Sequence, residues 1–167
     1  GPILTNNDEN SMNIIEYNKK KVGVIKFNSF NTNTASDIKK ILIQLKKINI
    51  DGLILDIRDN GGGLLTSVIE ILDMFIDTGI ALKYKDPLQN TIVTNNMNKA
   101  GKLYDGPLSI LVNSNSASAS EVLAGVIQYY KRGIIIGTSN TTFGKGVIQS
   151  VIPILNDKIF KLTTASY

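Results

Sequence analysis

Two short stretches of this chain carry side chains that could do nucleophilic chemistry. Residues 116–121 read Ser-Ala-Ser-Ala-Ser-Glu, and residues 143–146 read Phe-Gly-Lys-Gly. Because the chain contains no histidine and no cysteine, it has neither the usual base for a serine nor a thiolate nucleophile. A lysine that burial holds neutral is then the main way left to activate a serine hydroxyl. Lys145 stands between two glycines in weakly polar surroundings, which makes it the candidate base.

Each of these features also has an ordinary structural interpretation. The serines of residues 114–120 can be helix caps and small packing residues. Lys145 can be a solvated lysine, as most lysines are. The glycine run at residues 61–63 is either a tight turn or a loop whose amides approach a ligand, and the two common phosphate-binding glycine patterns are absent. The residue types alone leave these alternatives open.

Length and composition are those of one soluble globular domain. The chain has 167 residues, of which 43% are hydrophobic and 19% charged, enough for a sizeable core. The net charge of +4 comes from scattered basic residues without interleaved aromatic side chains, so no nucleic-acid partner is predicted. The absence of cysteine excludes disulfides and leaves the redox compartment open, and the absence of histidine removes the commonest zinc ligand. No apolar run approaches the ~20 residues of a transmembrane helix.

The hydrophobic pattern predicts alternating strands and helices. Helices are expected from Thr34, after the glycine run and after the serine motif. Thr34 has Asp37 three positions on, which resembles a capping box. The first helix should bury a face that extends to Ile48, and the second a face that begins at Leu64. Strands are expected at residues 13–17, 22–27, 53–57, 108–112 and 134–136, with a hairpin at 81–95 and two last strands at 147–155 and 158–164.

This order of elements predicts a layered α/β domain with parallel strand pairs in its centre. In such sheets, sites collect at the carboxyl ends of strands. The glycine run and the serine motif each follow a strand, so both are expected at this edge. Free amides at the start of the helix after the serines would favour negative charge there. We find no internal repeat and no linker, so residues 13–167 are expected to form one domain behind a lead-in at residues 1–12.

Four ordered motifs resemble those of one protein family. Val-Gly-Val-Ile-Lys-Phe-Asn-Ser-Phe at residues 22–30 is similar to the family's opening strand. Residues 55–65 are similar to its Leu-Asp-Leu-Arg-Asn-Asn-Pro-Gly-Gly-Leu-Leu segment, and residues 116–121 and 142–149 resemble its serine and lysine segments. The family is the carboxy-terminal processing proteases, also called tail-specific proteases, and the resemblance runs from about Val22 to Tyr167. It implies a ClpP/crotonase-like α/β core with a central mixed sheet flanked by helices.

The resemblance implies a serine endopeptidase that cleaves proteins near their C-terminal tails through a Ser-Lys dyad. The middle serine of the motif maps to Ser118 as the nucleophile, and the lysine maps to Lys145 as the general base. A glutamine that supports the lysine maps to Gln149.

The amides of the implied oxyanion hole map to Gly62, with Gly63 as the second choice, and to Ala119. Substrate C-termini are the implied partners, and neither a metal nor a cofactor is implied. A regulatory partner and a homo-oligomer of the full-length protein are left open. The compartment is open too, since the resemblance is to proteins of the bacterial periplasm and cell envelope or of an organelle lumen.

The chain departs from the family pattern in four places. Gly61 stands where the family usually has proline, and the loop at residues 138–142 is longer by about two residues. Too few residues precede Val22 for the PDZ domain that usually comes before the protease core, and the chain stops at Tyr167 where the family continues. Gly1-Pro2 is typical of a tag-cleavage scar. We therefore expect an excised catalytic core without its PDZ domain and C-terminal continuation.

Two other function classes remain as alternatives. A non-catalytic relative would keep the fold and only bind peptides, although Ser118, Lys145 and Gln149 are all present. An acyl-CoA-handling enzyme of similar layered architecture is the second alternative, because a fold does not fix a function. The lysine motif disfavours that second class.

Overall fold

A five-stranded sheet organises the chain, in a computed structural model that describes residues 10–85, 92–97 and 101–137. The elements in chain order are β1 (Asn10–Tyr17), β2 (Lys20–Phe27), α1 (Thr34–Lys47), β3 (Gly52–Asp56), α2 (Leu65–Asp73), β4 (Gly79–Lys85), β5 (Ile92–Met97), β6 (Leu108–Val112), α3 (Ala119–Tyr129) and β7 (Ile134–Gly137). The sheet order is β1-β2-β3-β6-β7, in which β1 runs antiparallel to β2 and the other pairs are parallel. The predicted α/β architecture, a central mixed sheet with flanking helices, is confirmed.

The core lies between the central strands and the helices. Alternate residues of the strands are fully buried, among them Ile25, Leu55 and Ile110, as the two-residue period of a strand requires. The buried face of α1 comes from residues at helical spacing, including Ile38 and Leu42. Burying a side chain of this size contributes about 1.5–3 kcal/mol. The prediction for Ile48 is wrong, because it follows the last residue of α1 and is 38% exposed.

The first hairpin is longer than predicted. Strand β1 begins at Asn10 instead of residue 13, so it includes the last three residues of the segment expected to be a loose lead-in, and it pairs with β2 from Asn10 opposite Phe27 to its last residue. The turn is only two residues long. Asn18 and Lys19 have φ values of 48° and 62°, as a tight hairpin turn between twisted strands requires.

The start of α1 corrects the predicted capping box. The cap position is Asn33, and no side chain there bonds to the helix amides. Thr34 is already helical, and its hydroxyl donates to the Ser29 carbonyl at 3.1 Å and accepts the Asn31 N–H at 3.0 Å. The amides of Asn33 and Thr34 are instead accepted by Asn31 Oδ1, at 2.8 and 3.1 Å. An Asx turn at Asn31 therefore satisfies amides at the start of α1, the role that was predicted for Thr34 and Asp37.

Helix α2 is shorter than its apolar pattern. Leu64 precedes it and is 44% exposed, so the predicted inward position of Leu64 is wrong, whereas Phe75 and Ile76 lie beyond its end and are buried. The predicted hairpin at residues 81–95 corresponds to the antiparallel pair β4–β5, and residues 86–91 between the two strands lie outside the described residues. The two strands predicted at 147–155 and 158–164 also lie outside them. None of the helices in the described ranges has the length and apolarity needed to cross a membrane.

Candidate active site

Two loops meet at one edge of the sheet. The glycine loop, residues 57–64, follows β3, and the serine loop, residues 113–118, follows β6. Since β3 and β6 are parallel neighbours, both loops leave from their carboxyl ends. The sequence prediction that the glycine run and the serine motif come together is confirmed by this arrangement.

Ser118 has an unusual backbone conformation at the start of α3. Its φ is 53° and its ψ is −116°, values that suit the first central residue of a type II′ turn and favour glycine. A side chain held there costs of the order of 1–3 kcal/mol. The same conformation turns a serine outward at a sharp bend into a helix, as in the nucleophile elbow of the α/β-hydrolases. Glu121 stabilises the bend, because its Oε2 accepts the Ser118 N–H at 2.9 Å in the manner of a capping box.

The three serines of the motif differ sharply in environment. Ser116 and Ser120 are fully buried, and their hydroxyls donate to the carbonyls of Ile57 and Asn60, each at 2.8 Å. Ser118 is exposed, and no acceptor among the described residues takes its hydroxyl hydrogen. The outer serines are therefore parts of the scaffold, and the middle one is available for chemistry.

Asn60 joins the two loops from the inside. It is fully buried, and its carbonyl accepts both the Ala117 N–H at 3.0 Å and the Ser120 hydroxyl. Its side-chain Nδ2 donates to the Phe27 carbonyl at 3.0 Å, and its Oδ1 accepts the Gly62 N–H at 2.9 Å. Each polar group of Asn60 thus fixes a different segment, and a buried network of this kind is costly to break.

Two glycines permit close approach at this junction. Gly62 has φ 104°, and a Cβ on it would lie 2.8 Å from the Ser118 Cβ and 3.0 Å from the Ala119 nitrogen. Gly63 has φ 146°, and a Cβ on it would overlap the backbone of Phe30, to which it forms an isolated parallel bridge. Gly62 therefore lies against Ser118 and Gly63 against Phe30, three residues past the end of β2, and neither position admits a side chain.

The backbone amides near Ser118 are of two kinds. Ala119 is the first residue of α3, is buried, and finds no acceptor for its N–H among the described residues, as expected at a helix start. The Gly63 N–H likewise has no acceptor there. The Gly62 N–H is occupied by Asn60 Oδ1. An oxyanion at Ser118 would thus meet the free amide of Ala119 and, on the glycine loop, the free N–H of Gly63 and the engaged N–H of Gly62.

An ion pair fixes the chain where it leaves β3. The Asp56 carboxylate accepts two side-chain hydrogen bonds from Arg58, at 2.9 and 2.7 Å, and one from its backbone N–H at 3.1 Å. Burial acts to raise the pKa of Asp56, but the bonds and charge of Arg58, with Lys26, outweigh it and hold that pKa below its ordinary value. Within the described ranges no group of three or more carboxylates could hold a metal ion.

Lys145 and Gln149 lie outside the described residues, and their predicted roles stay predictions. The described part of the chain that precedes them ends at the edge of the sheet where the site lies. Strand β7 ends at Gly137, which pairs with Val112 at the end of β6, beside the start of the serine loop.

One known protein family matches most of the sequence. The model of peptidase family S41 matches residues 21–167. The chain belongs to peptidase family S41. The resemblance read from the four sequence motifs is thereby confirmed.

Several relatives of this S41 chain carry names that describe their activity. It is 41% identical over 130 residues to the tail-specific protease of Haemophilus influenzae, a stretch that covers 78% of this chain and 18% of that protein. It is 39% identical over 162 residues to the carboxyl-terminal-processing protease of a Picosynechococcus species, covering 91% of this chain and 36% of that protein. Among solved structures, the photosystem II D1 C-terminal processing protease superposes with a TM-score of 0.61 at 35% identity, covering 69% and 30% of the two chains. The chain thus spans a third or less of most of these relatives.

Sequence reasoning missed three residues that shape the site. Glu121 could have been found, because Ser-x-x-Glu before an apolar run is the capping-box pattern. Asn60 and Asp59 carry no comparable local signal, since the partners that join them to the serine loop and to the start of α3 lie more than fifty positions away.

Proposed function

We propose that this chain is the catalytic core of a serine endopeptidase that cleaves proteins near their C-terminal ends, with Ser118 as nucleophile and Lys145 as general base. One observation carries the proposal. Of the three serines in the motif, only Ser118 is exposed with an uncommitted hydroxyl hydrogen, at a strained bend whose next amide is free. The relatives add the direction of the reaction, because their names describe C-terminal processing.

The first chemical step follows from these groups. The neutral Lys145 amine takes the proton from Ser118 Oγ as that oxygen attacks the scissile carbonyl carbon. The resulting ammonium gives the proton to the leaving amine, and water then hydrolyses the acyl-serine through the same lysine. Gln149 holds the lysine side chain in place in this proposal. Lys145 is eight residues beyond Gly137, close enough along the chain for the loop to return to the edge where β7 ends.

The tetrahedral oxyanion needs two donors. Ala119 supplies one, as the first free N–H of α3. Gly62 supplies the other, because it lies against Ser118 and Ala119. Its N–H must leave Asn60 Oδ1, and a full negative charge competes well with a neutral amide oxygen for a donor. Gly63, whose N–H is free, is the alternative donor.

The test is covalent labelling of the whole protein with a fluorophosphonate, with the labelled residue located by mass spectrometry. Labelling is expected at Ser118 and should disappear in Ser118→Ala, together with cleavage of a substrate that ends in an unstructured C-terminal tail. Ser114→Ala is the matched control, because Ser114 is an exposed serine of the same loop. A wild-type protein that binds the tail but neither labels nor cleaves would instead be a peptide-binding scaffold. Labelling that survives in Ser118→Ala and disappears in Ser116→Ala or Ser120→Ala would show that the nucleophile is misassigned.

A further inference from the structure

The two loops are also joined on their outer side, by a clamp made of Asp59, Asn113 and Asn115. Asp59 Oδ1 accepts hydrogen bonds from Asn113 Nδ2 and Asn115 Nδ2, each at 2.8 Å. In return, the Asp59 backbone N–H donates to Asn113 Oδ1 at 3.0 Å. Because Asp59 belongs to the glycine loop and both asparagines to the serine loop, the clamp connects parts of the chain that are 54 and 56 positions apart.

Asn113 continues the clamp into the serine loop. Its Oδ1 accepts the Asn115 N–H at 3.0 Å, and its own N–H donates to the Ser116 hydroxyl at 3.0 Å. The side-chain amide of Asn113 thus makes hydrogen bonds both within the serine loop and to Asp59 of the glycine loop. A displacement of Asp59 would be transmitted to the serine loop through this side chain.

Core packing does not account for the clamp. Asp59 and Asn115 are exposed, and Asp59 has a φ of 61°, a left-handed conformation that few residues other than glycine, asparagine and aspartate adopt. The hydrogen bonds from Asn115 and Asn113, with smaller effects of Lys26 and Arg58, lower the pKa of Asp59. The carboxylate therefore holds the two amides in its ionised form.

We infer that Asp59 is a positioning residue for the peptide-bond cleavage proposed above, and that it acts by fixing the glycine-loop amides relative to the Ser118 hydroxyl. Asn60 and the bond from the Ser116 hydroxyl to the Ile57 carbonyl join the two loops on their buried side. The clamp adds an attachment on the solvent side, and attachments on both sides fix the orientation of one loop relative to the other. Asp59 lies three positions before Gly62, and Asn115 three before Ser118, so a shift at the clamp is carried over the same short distance to both.

The inference rests on the proposed function and is tested with two variants that differ in one property. Glycine and asparagine both accept a positive φ, but only asparagine keeps an oxygen where Asp59 Oδ1 lies. Asp59→Gly should lower kcat for tail cleavage by about 10–100-fold with KM within about 2-fold, because a misplacement near 1 Å costs about 100-fold in rate. Asp59→Asn should stay within about 3-fold of the wild type, since the acceptor is retained. Asn18→Gly, at another positive-φ position in the β1–β2 turn, is the control and should leave kcat unchanged.

A second measurement does not depend on catalysis. Asp59→Gly should speed amide hydrogen exchange in residues 61–63 and 114–119 together. In the activity assay, the double variant Asp59→Gly/Asn113→Ala should lose no more activity than the more impaired single variant, because both changes remove the same clamp. An Asp59→Gly protein with wild-type kcat and exchange would overturn the inference, as would an Asp59→Asn protein as slow as Asp59→Gly. If the wild-type protein neither labels nor cleaves, the proposed function is wrong. The exchange result then tests the clamp alone: faster exchange in both loops would show that Asp59 fixes them relative to each other, and unchanged exchange would overturn the inference.

Discussion

The amino ends of α1 and α3 carry the same sequence pattern but use it in opposite ways. Each has a hydroxyl residue followed three positions later by an acid, Thr34 with Asp37 and Ser118 with Glu121. At α1 the hydroxyl turns back to the chain before the helix, and Asp37 Oδ2 accepts Asn10 Nδ2 from β1 at 3.1 Å. At α3 the acid returns to the backbone of its own pattern and leaves the Ser118 hydroxyl hydrogen uncommitted.

The two helix starts differ in the hydrogen-bond partners that surround the hydroxyl group. The segment before α1 offers the Ser29 carbonyl and the Asn31 amide, and both bond to Thr34. Beside α3, the Asn60 carbonyl of the glycine loop already accepts the Ala117 N–H and the Ser120 hydroxyl. The neighbours of Ser118 thus satisfy one another, and the Ser118 hydroxyl hydrogen is left without an acceptor among the described residues.

The largest effect on catalysis should come from changing Lys145, the general base proposed for the Ser118 hydroxyl; no base is proposed for the Thr34 hydroxyl. Lys145→Arg should lower kcat/KM by about 10²–10⁴-fold, as Lys145→Ala does, because arginine cannot give up its proton. Lys26→Arg is the control that keeps a cationic side chain near the site and should be close to wild type. The wild-type rate should rise with pH as the amine deprotonates. Substantial cleavage by Lys145→Arg in steady-state assays would remove the general base from the proposal.

The next largest difference in kcat should come from removing the acid at each helix start, Glu121 at α3 and Asp37 at α1. Glu121→Ala frees the Ser118 N–H and should lower kcat by about 10–100-fold, since loosening the bend misplaces the hydroxyl. Glu121→Gln keeps an acceptor oxygen and should restore most of the rate. Asp37→Ala should leave kcat within about 2-fold, because the acid of α1 binds only distant β1. Equal losses in Glu121→Ala and Asp37→Ala would mean that both act only through global stability.

A smaller effect, on stability alone, is expected at α1. Thr34→Val keeps the shape of the side chain but removes a buried hydroxyl that makes two hydrogen bonds. The free energy of unfolding should fall by about 1–3 kcal/mol, measured by denaturant titration, with kcat unchanged. Ser36→Ala, an exposed serine two positions on, is the control and should be near neutral. A Thr34→Val protein as stable as the wild type would show that these bonds contribute nothing net.

The smallest effect should be a gain. Ser118→Gly should be more stable than Ser118→Ala by about 1 kcal/mol, because glycine relieves the positive φ that alanine still strains. Both variants lack the hydroxyl, so their difference isolates the backbone conformation from any catalytic role. If thermal unfolding gives the two variants the same midpoint, the bend at Ser118 is not strained in solution.

The sequence predicted elements more successfully than contacts. Periodicity located every helix and strand of the described ranges, because Ile25, Leu55 or Leu42 are placed by the pattern of their near neighbours. The capping box was predicted at α1 but is found at α3. Which helix start forms the box depends on bonds between distant residues, such as Asn10–Asp37 and Ser120–Asn60, which are 27 and 60 positions apart. Ser118 was chosen through the family motif, and the burial of its neighbours, which supports that choice, has no signature in a string of alternating serines and alanines.

The three adjacent glycines differ in whether evolution could replace them with a residue that has a side chain. A Cβ at Gly61 would meet nothing within 4 Å, whereas one at Gly62 or Gly63 would collide with Ser118 or Phe30. Position 61 is thus open to substitution, and its neighbours are closed to it. A sequence pattern for finding distant relatives in genomes should accordingly require Asn60, Gly62 and Gly63 and accept any residue at position 61.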